Sequence, residues 1–250
     1  MKDKITLITG GASGMGKAAV KAFSERESKV IFCDVQDEKG QALAEELAGQ
    51  GRSVEYYHCD LFQISEIETM FQHIKDKYGR LDFAINNAGF GHNPKPMAEL
   101  SDDEVTRIFN INAVANARLM IQELRIMEPQ GFGRIVVTTS GAGLLGSKFY
   151  SIYSASKHAI CGMVKSAALE YAEKGITINA IAPGTIGTEM MEAMKERDPA
   201  SYAACCRSNP ANRLGRPEEI ASAMVFLCEE NSAFINGVIL PVDSGFCAGK

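Results

Sequence analysis

Two rhythms of apolar and polar residues take turns along this chain. Short β-rich apolar runs at Ile5–Thr9, Lys29–Asp34, Ser53–Cys59, Asp82–Asn86, Arg134–Thr139, Thr177–Ala182 and Val238–Val242 read as strands. Between them, apolar residues recur at helical spacing over Lys17–Glu27, Glu38–Gln50, Ile64–Tyr78, Ser101–Met127, Tyr153–Ala172 and Pro217–Glu229. In Ile64–Tyr78, for example, Ile64, Ile67, Met70, Phe71 and Ile74 share one face. Asp102, Asp103 and Glu104 crowd the first turn of the longest segment, where the helix dipole favours negative charge. Pro217 opens the last helix, where its missing N–H is no loss. Strand and helix in alternation mean βαβ units, whose right-handed crossovers build a parallel sheet with helices on both faces. The expected fold is α/β: a doubly wound, seven-stranded, Rossmann-like parallel sheet in a single domain, because no linker or composition break divides the chain.

Composition narrows the partners. The 250 residues are 46% hydrophobic and 23% charged, a globular balance with enough apolar surface for a core. A net charge of −5 offers no broad attraction for nucleic acid or anionic membrane. No apolar stretch reaches the length of a membrane span, and the first apolar run is too short for a signal peptide. The expected partner is a small molecule, with no nucleic acid and no membrane. Seven cysteines is an odd number with no disulfide framework, so Cys33 and Cys59 are expected buried and reduced and the location cytoplasmic. Cys205-Cys206 could form a redox pair; two ordinary loop residues is the preferred reading, since adjacent cysteines bridge poorly. His58, His73, His92 and His158 lack metal-ligand spacing, so no metal is expected.

Parallel open sheets bind ligands beyond the carboxyl ends of their strands, so the residues just after each strand carry the functional signal. After the first strand comes Thr9-Gly10-Gly11-Ala12-Ser13-Gly14-Met15-Gly16, with Gly10, Gly14 and Gly16 in a G-x-x-x-G-x-G spacing before a helix. Glycines allow a tight turn and close approach of a pyrophosphate, toward which the helix aims its free N–H groups. The second strand ends at Asp34, placed to hold both ribose hydroxyls of an adenosine and to repel a 2′-phosphate. At 4 Å and an effective dielectric of 20 that repulsion is about 4 kcal/mol per unit charge. Ser13 and Val35, where a cation for such a phosphate would sit, are neutral. NAD is therefore expected in preference to NADP. Asp60, followed by Leu61, could accept from the adenine amino group or cap the next helix. Asn86-Asn87-Ala88-Gly89 could let a cofactor lie against the backbone, or its amides could lock neighbouring strands.

Ser140 ends the fifth strand, and Tyr153 and Lys157 follow on one face of a helix at i, i+4. Such pairs are frequent on helix surfaces. Within a site, an ammonium and an oxidised nicotinamide would both favour the phenolate. Lowering a tyrosine pKa from about 10 to about 7 takes about 4 kcal/mol. Pro183-Gly184-Thr185-Ile186-Gly187-Thr188 follows the sixth strand; its small residues could line the nicotinamide, with Thr188 bonding the amide or phosphates, or it could be a plain loop.

In order and spacing these segments resemble the short-chain dehydrogenase/reductase family in its short single-domain form. The resemblance continues through Asn212-Arg213-Leu214-Gly215-Arg216-Pro217-Glu218-Glu219-Ile220-Ala221 and Val242-Asp243-Ser244-Gly245, so it covers essentially the whole chain. It implies a hydride exchanged between nicotinamide and a substrate carbon. Ser140 would hold the substrate oxygen, Tyr153 would exchange the proton, and Lys157 would bond the nicotinamide ribose and lower the Tyr153 pKa. Asn112, rather than its neighbour Asn110, would support a water-mediated proton path. The cofactor set it implies is Gly10, Ser13, Gly14, Met15, Gly16, Asp34, Asp60, Leu61, Asn87, Ala88, Gly89, Tyr153, Lys157, Pro183, Gly184, Ile186 and Thr188. The family often has Asp-Gly-Gly where this chain has Asp243-Ser244-Gly245, a departure that touches packing rather than chemistry. A homotetramer is also implied, with the Tyr153–Ala172 helix in an interface. Ala155, Ala159, Gly162, Ala167 and Ala168 would permit close approach there, or would pack on the sheet.

Two segments are expected to wall the substrate pocket: Gly141–Tyr150, and an insert at about 189–208 acting as a mobile lid. Candidate lining residues are Phe90, His92, Ala142, Leu144, Phe149, Tyr150, Met190, Met191 and Met194. Adaptable methionines suit a bulky apolar ligand, such as a steroid-like, alicyclic or aryl alcohol, although ordinary helix packing explains them as well. The expected activity is an NAD-dependent interconversion of secondary alcohol and ketone. A 3-oxoacyl-thioester reductase is the alternative, for which Lys148 and Lys195 leave room for an anionic carrier. A non-catalytic NAD(H) sensor is a second alternative, which the intact Ser140, Tyr153 and Lys157 disfavour.

Overall fold

A computed structural model describes residues 1–249, apart from the side chains of Met190 and Glu192. Met190, expected in the substrate pocket, therefore lies outside the described residues. The strands are β1 (Ile5–Thr9), β2 (Lys29–Asp34), β3 (Val54–His58), β4 (Phe83–Asn86), β5 (Gly133–Thr138), β6 (Ile176–Pro183) and β7 (Ile239–Val242). They form one seven-stranded sheet in the order β3-β2-β1-β4-β5-β6-β7, every neighbouring pair parallel. The order reverses between β1 and β4, which leaves a crevice at their carboxyl ends.

Alternate strand residues feed two apolar layers. Leu7, Ile31, Ile135 and Val137 face one side, where α3 (Ile64–Tyr78), α5 (Ala115–Gln130) and α6 (Ser151–Tyr171) pack. Ile8, Phe32 and Val136 face the other, covered by α1 (Gly14–Ser24), α2 (Asp37–Gly49) and α9 (Pro217–Cys228). Both faces being covered is what allows the strands to be apolar throughout. The expected fold class and a single Rossmann-like domain are both found.

Three local differences from the sequence reading have physical causes. The segment expected as one helix over 101–127 is divided into α4 (Asp102–Phe109), a π-helical turn (Asn110–Val114) and α5. Periodicity cannot register the extra residue in a π turn, and here tertiary bonds hold it. Asn112 accepts from Phe90 N (3.1 Å), donates to Phe90 O (2.8 Å) and to Ser156 Oγ (3.1 Å). The 189–208 segment holds two short helices, α7 (Glu189–Arg197) and α8 (Pro199–Ser208). No residue of α8 is buried, so its sequence carries no core stripe; a cap from Asp198 to Ser201 N (3.1 Å) and Pro199 in the first turn start it instead. Cys205 and Cys206 consequently sit in a helix rather than a loop, both as free thiols. Ser244, standing where the family often has glycine, adopts φ 56°, a left-handed conformation that glycine takes without strain.

Asp82 anchors the start of the central strands. It is fully buried and accepts from Ile5 N and Arg80 Nε, both at 2.9 Å, with Lys4 Nζ at 3.4 Å. Replacing it with alanine leaves the Ile5 amide unpaired in the interior, while the half-exposed Arg80 guanidinium can turn to solvent. Asp82→Ala should lower unfolding free energy by about 2 kcal/mol, read as an earlier urea midpoint with unchanged slope.

Candidate active site

The crevice is framed by close backbone contacts that side chains would block. Gly10 has φ 66°, and a Cβ there would lie 2.9 Å from Ala88 Cα. A Cβ on Gly16 would collide with the Gly10 carbonyl oxygen, and one on Gly89 would come within 2.6 Å of Asn112 Oδ1. Thr9 Oγ1 accepts from Asn87 N (3.1 Å) and Ala88 N (3.2 Å), and Asn87 Nδ2 donates to the Thr9 and Gly10 carbonyls. The Asn87 amide thus locks β1 to β4 while the turn it begins lines the crevice. The cavity is about 780 Å³, walled by Gly10, Ser13, Gly14, Met15, Asp34, Asp60, Leu61, Asn87, Ala88, Gly89 and Thr188. Ser13, the N-cap of α1, makes no side-chain cap, so the first N–H groups of the helix remain available at this wall. The glycine cradle, the helix start and the cavity volume fit a dinucleotide.

Asp34 uses both carboxylate oxygens on backbone: Oδ2 accepts from Ala12 N (3.1 Å), and Oδ1 from Val35 N (2.8 Å) and Gln36 N (3.1 Å). It therefore fixes the glycine-rich turn as well as lining the cavity. Asp60 is not the cap of α3, whose N-cap is Gln63; its Oδ1 accepts from Phe62 N (3.0 Å) in the preceding turn, and it lines the cavity. Lys39 also lines this wall and pairs with Glu189 at 2.9 Å. It escaped the sequence reading because only the α2 helix brings it back toward Asp34. Six residues of the expected set do not line the cavity: Gly16, Tyr153, Lys157, Pro183, Gly184 and Ile186. Pro183 is buried at the end of β6, a Cβ on Gly184 would sit 2.8 Å from Asn209 Oδ1, and Ile186 packs into the α9 layer. The β6 loop bends back on Asn209 and Gly215, leaving Thr188 to touch the cavity.

The four expected catalytic residues come together beside this cavity. Ser140 Oγ accepts from Ala142 N (3.1 Å), and its hydroxyl favours the ionised form of Tyr153. Lys157 is buried, donates from Nζ to Thr138 O (2.9 Å), and lies 5.7 Å from the Tyr153 ring centre. Ser156, missed in the sequence, is fully buried and donates to Tyr153 O (2.7 Å) while accepting from Asn112. Burial holds the Tyr153 pKa above its ordinary value, against the opposing Ser140 hydroxyl. Burial also pushes the Lys157 ammonium down to about 8. Among the protein's own groups desolvation is the largest influence on Tyr153, and the expected lowering by the ammonium together with an oxidised nicotinamide has to overcome it.

On the substrate side, Tyr150 packs edge-on to Tyr153 with ring centres 6.3 Å apart, and His92 stacks on Tyr150 at 5.4 Å. Phe149, 44% exposed, takes φ 67°, a strained conformation for a bulky residue. Ala142 and Leu144 are half-buried on the turn after Ser140, and Met194 is half-buried on α7, whereas Met191 is buried. Phe90 lines the cofactor-sized cavity beside Phe62 and beneath the Arg107 guanidinium. Two neighbours went unseen in the sequence. Cys205 acts electrostatically on Tyr150, and the Phe246–Gly249 turn reaches Gly141, where a Cβ would be 3.5 Å from Cys247 Sγ. Neither carried a motif.

A family model described as enoyl-(acyl carrier protein) reductase matches residues 10–247. A 2,5-dichloro-2,5-cyclohexadiene-1,4-diol dehydrogenase of Sphingobium indicum is 31% identical over 99% of this chain and 98% of its own. The chain belongs to the short-chain dehydrogenase/reductase family. Among solved members, levodione reductase superposes with a TM-score of 0.94 at 31% identity, covering 100% of both chains. The structure of ElxO with NADP bound gives 0.94 at 31% identity, covering 99% of this chain and 100% of that one. Membership makes this chain an oxidoreductase acting on CH–OH groups with a nicotinamide cofactor.

Lys157 carries a cost that activity alone would not reveal. Its folded pKa lies below that of a free lysine, so its burial destabilises the fold fully below pH 8, and the penalty fades as pH rises from about 8 toward 10.5. Lys157→Met should raise stability at pH 7 by about 2 kcal/mol while losing turnover. Urea titrations across that alkaline window should show the gain shrinking.

Proposed function

We propose that this enzyme interconverts a secondary alcohol and a ketone with NAD(H), on a bulky apolar substrate of alicyclic, steroid-like or aryl type. The observation that carries the reading is the assembly of Ser140, Tyr153, Lys157 and Asn112 at the edge of a dinucleotide-sized cavity. The nicotinamide, when bound, supplies or accepts the hydride. Ser140 holds the substrate oxygen through its hydroxyl, and Tyr153 exchanges the proton with that oxygen. Because burial keeps Tyr153 in the phenol form, it is set to donate a proton to a ketone at neutral pH; alcohol oxidation needs the phenolate and gains from alkaline pH. Lys157 binds the ribose end, with its ammonium close to the phenol. Asn112 fixes the loop after β4 against α6 and supports the proton path.

Asp34 supports NAD over NADP, since a 2′-phosphate would meet its carboxylate. Lys39 on the same wall is engaged by Glu189. The aromatic wall of Tyr150, His92 and Phe149, and a relative named for a cyclic diol, support an alicyclic substrate. The helices α7 and α8 act as the lid over the substrate. A homotetramer fits the faces left uncovered: Ala155 and Gly162 of α6 point outward with Ile121 and Leu169, whereas Ala168 packs inward against Gly237. A 33% identical relative of Thermotoga maritima named as a 3-oxoacyl-[acyl-carrier-protein] reductase favours the other reading, a 3-oxoacyl-thioester reductase.

Nicotinamide absorbance decides between them. NADH oxidation with alicyclic or aryl ketones, exceeding NADPH oxidation with 3-oxoacyl thioesters, is the expected result; the reverse order would establish the thioester reductase. Tyr153→Phe should lower kcat by about 10²–10⁴-fold. Its NADH affinity, measured by fluorescence, should stay unchanged, which separates lost proton transfer from lost binding.

A further inference from the structure

Glu123 is fully buried in the apolar layer between α5 and the sheet, next along its helix to Leu119, Met120, Leu124 and Met127. Among the described residues its hydrogen-bond partner is Asn86, whose Nδ2 donates to Oε2 at 3.1 Å. Glu123 Oε1 has no partner, and neither has Asn86 Oδ1. Two orphan acceptors thus flank one hydrogen bond between two planar groups. A carboxylate there would be a buried charge facing one neutral donor, which apolar surroundings do not sustain. One proton serves both orphans: Oε1–H donates to Oδ1 while Nδ2–H donates to Oε2. Turning the amide over exchanges its atoms and leaves the same demand for one proton.

We propose that Glu123 is carried as a neutral carboxylic acid, paired edge to edge with the Asn86 amide, and that this pair positions the cofactor-facing turn Asn87–Gly89. Asn86 ends β4, in register with Thr9 of β1 and Val137 of β5. The next two amides bond Thr9 Oγ1, and Ala88 presses on Gly10, so a shift of Asn86 is passed directly to the cavity wall. Loss of the proton would turn a donor into a charged acceptor facing Asn86 Oδ1.

Burial pushes the Glu123 carboxyl up to about 8, opposed by the Asn86 bond. No charged group of β4, β5, α3 or α6 contributes among the described residues. On its own helix, Arg118 and Arg125 lie on other faces. Lys157, also near 8, titrates in the same range and is common to the proteins compared below. The protonation state stands on the geometry alone; the link to dinucleotide binding rests on the function proposed above.

Glu123→Gln keeps the shape and an amide in place of the acid, and three readouts on the full chain decide the matter. Infrared difference spectra of wild type against Glu123→Gln should show a protonated carboxyl stretch at pH 7; its absence would overturn the neutral acid. In urea titrations, the wild-type folding constant should fall relative to the variant by about tenfold per pH unit between roughly pH 5 and 8. Parallel profiles would also overturn it. NADH affinity of the wild type should drop severalfold more than that of the variant between pH 7 and 9. An equal drop in both proteins would overturn the positioning role. Absence of NADH binding in either protein at any pH would overturn the proposed function and the positioning role together, with the infrared band still deciding the protonation state.

Discussion

The site depends on one buried amide. Asn112 satisfies its side chain on the Phe90 backbone in both directions and on Ser156, and so clamps the loop after β4 to the helix that carries Tyr153 and Lys157. Those partners lie on different elements, and the chain around Asn112 widens into a π turn where the clamp is made. The Asn116 amide then donates to the Asn112 carbonyl at 2.7 Å, taking up a backbone acceptor in that turn. A polar residue with no exposure is tolerable here because its donors and acceptor are used; its reward is a fixed distance between cofactor loop and catalytic helix.

The same region concentrates groups that cost stability. Lys157 and Tyr153 are both held toward their neutral forms by burial, and Glu123 joins them beneath the cofactor loop. Phe149 and Ser244 add left-handed backbone that bulky or branched residues avoid. Elsewhere the sheet is conventional, with apolar residues alternating between two layers. Left-handed backbone and buried charge are not confined to the site, since Asp3 and Glu27 are left-handed and Asp82 and Arg134 are buried at the far end of the strands.

Most of the fold was legible because each strand and core-facing helix declares its period. The differences share one feature. The π turn, α8 and the inward bend of Pro183, Gly184 and Ile186 all lack a periodic signal of their own. The π turn and the bend are set by partners distant in sequence, Ser156 and Asn209 with Gly215, and α8 by the Asp198 cap on a segment with no buried residue. Lys39, Cys205 and the Phe246–Gly249 turn were invisible for the same reason, since no local spacing marks a residue whose role is to arrive beside another element.

Sequence alone determined the strand and helix order, the glycine cradle and the identities of Ser140, Tyr153 and Lys157, because these rest on local periodicity, backbone freedom and side-chain chemistry. Only the tertiary structure decided which of the expected residues touch the cavity and how its acids and bases are poised. Desolvation and hydrogen-bond partnership come from packing between elements far apart in the chain. That is why burial holds the Tyr153 phenol above its ordinary pKa, and why a glutamate that no motif marked lies protonated, on the pairing proposed here, beneath the cofactor loop.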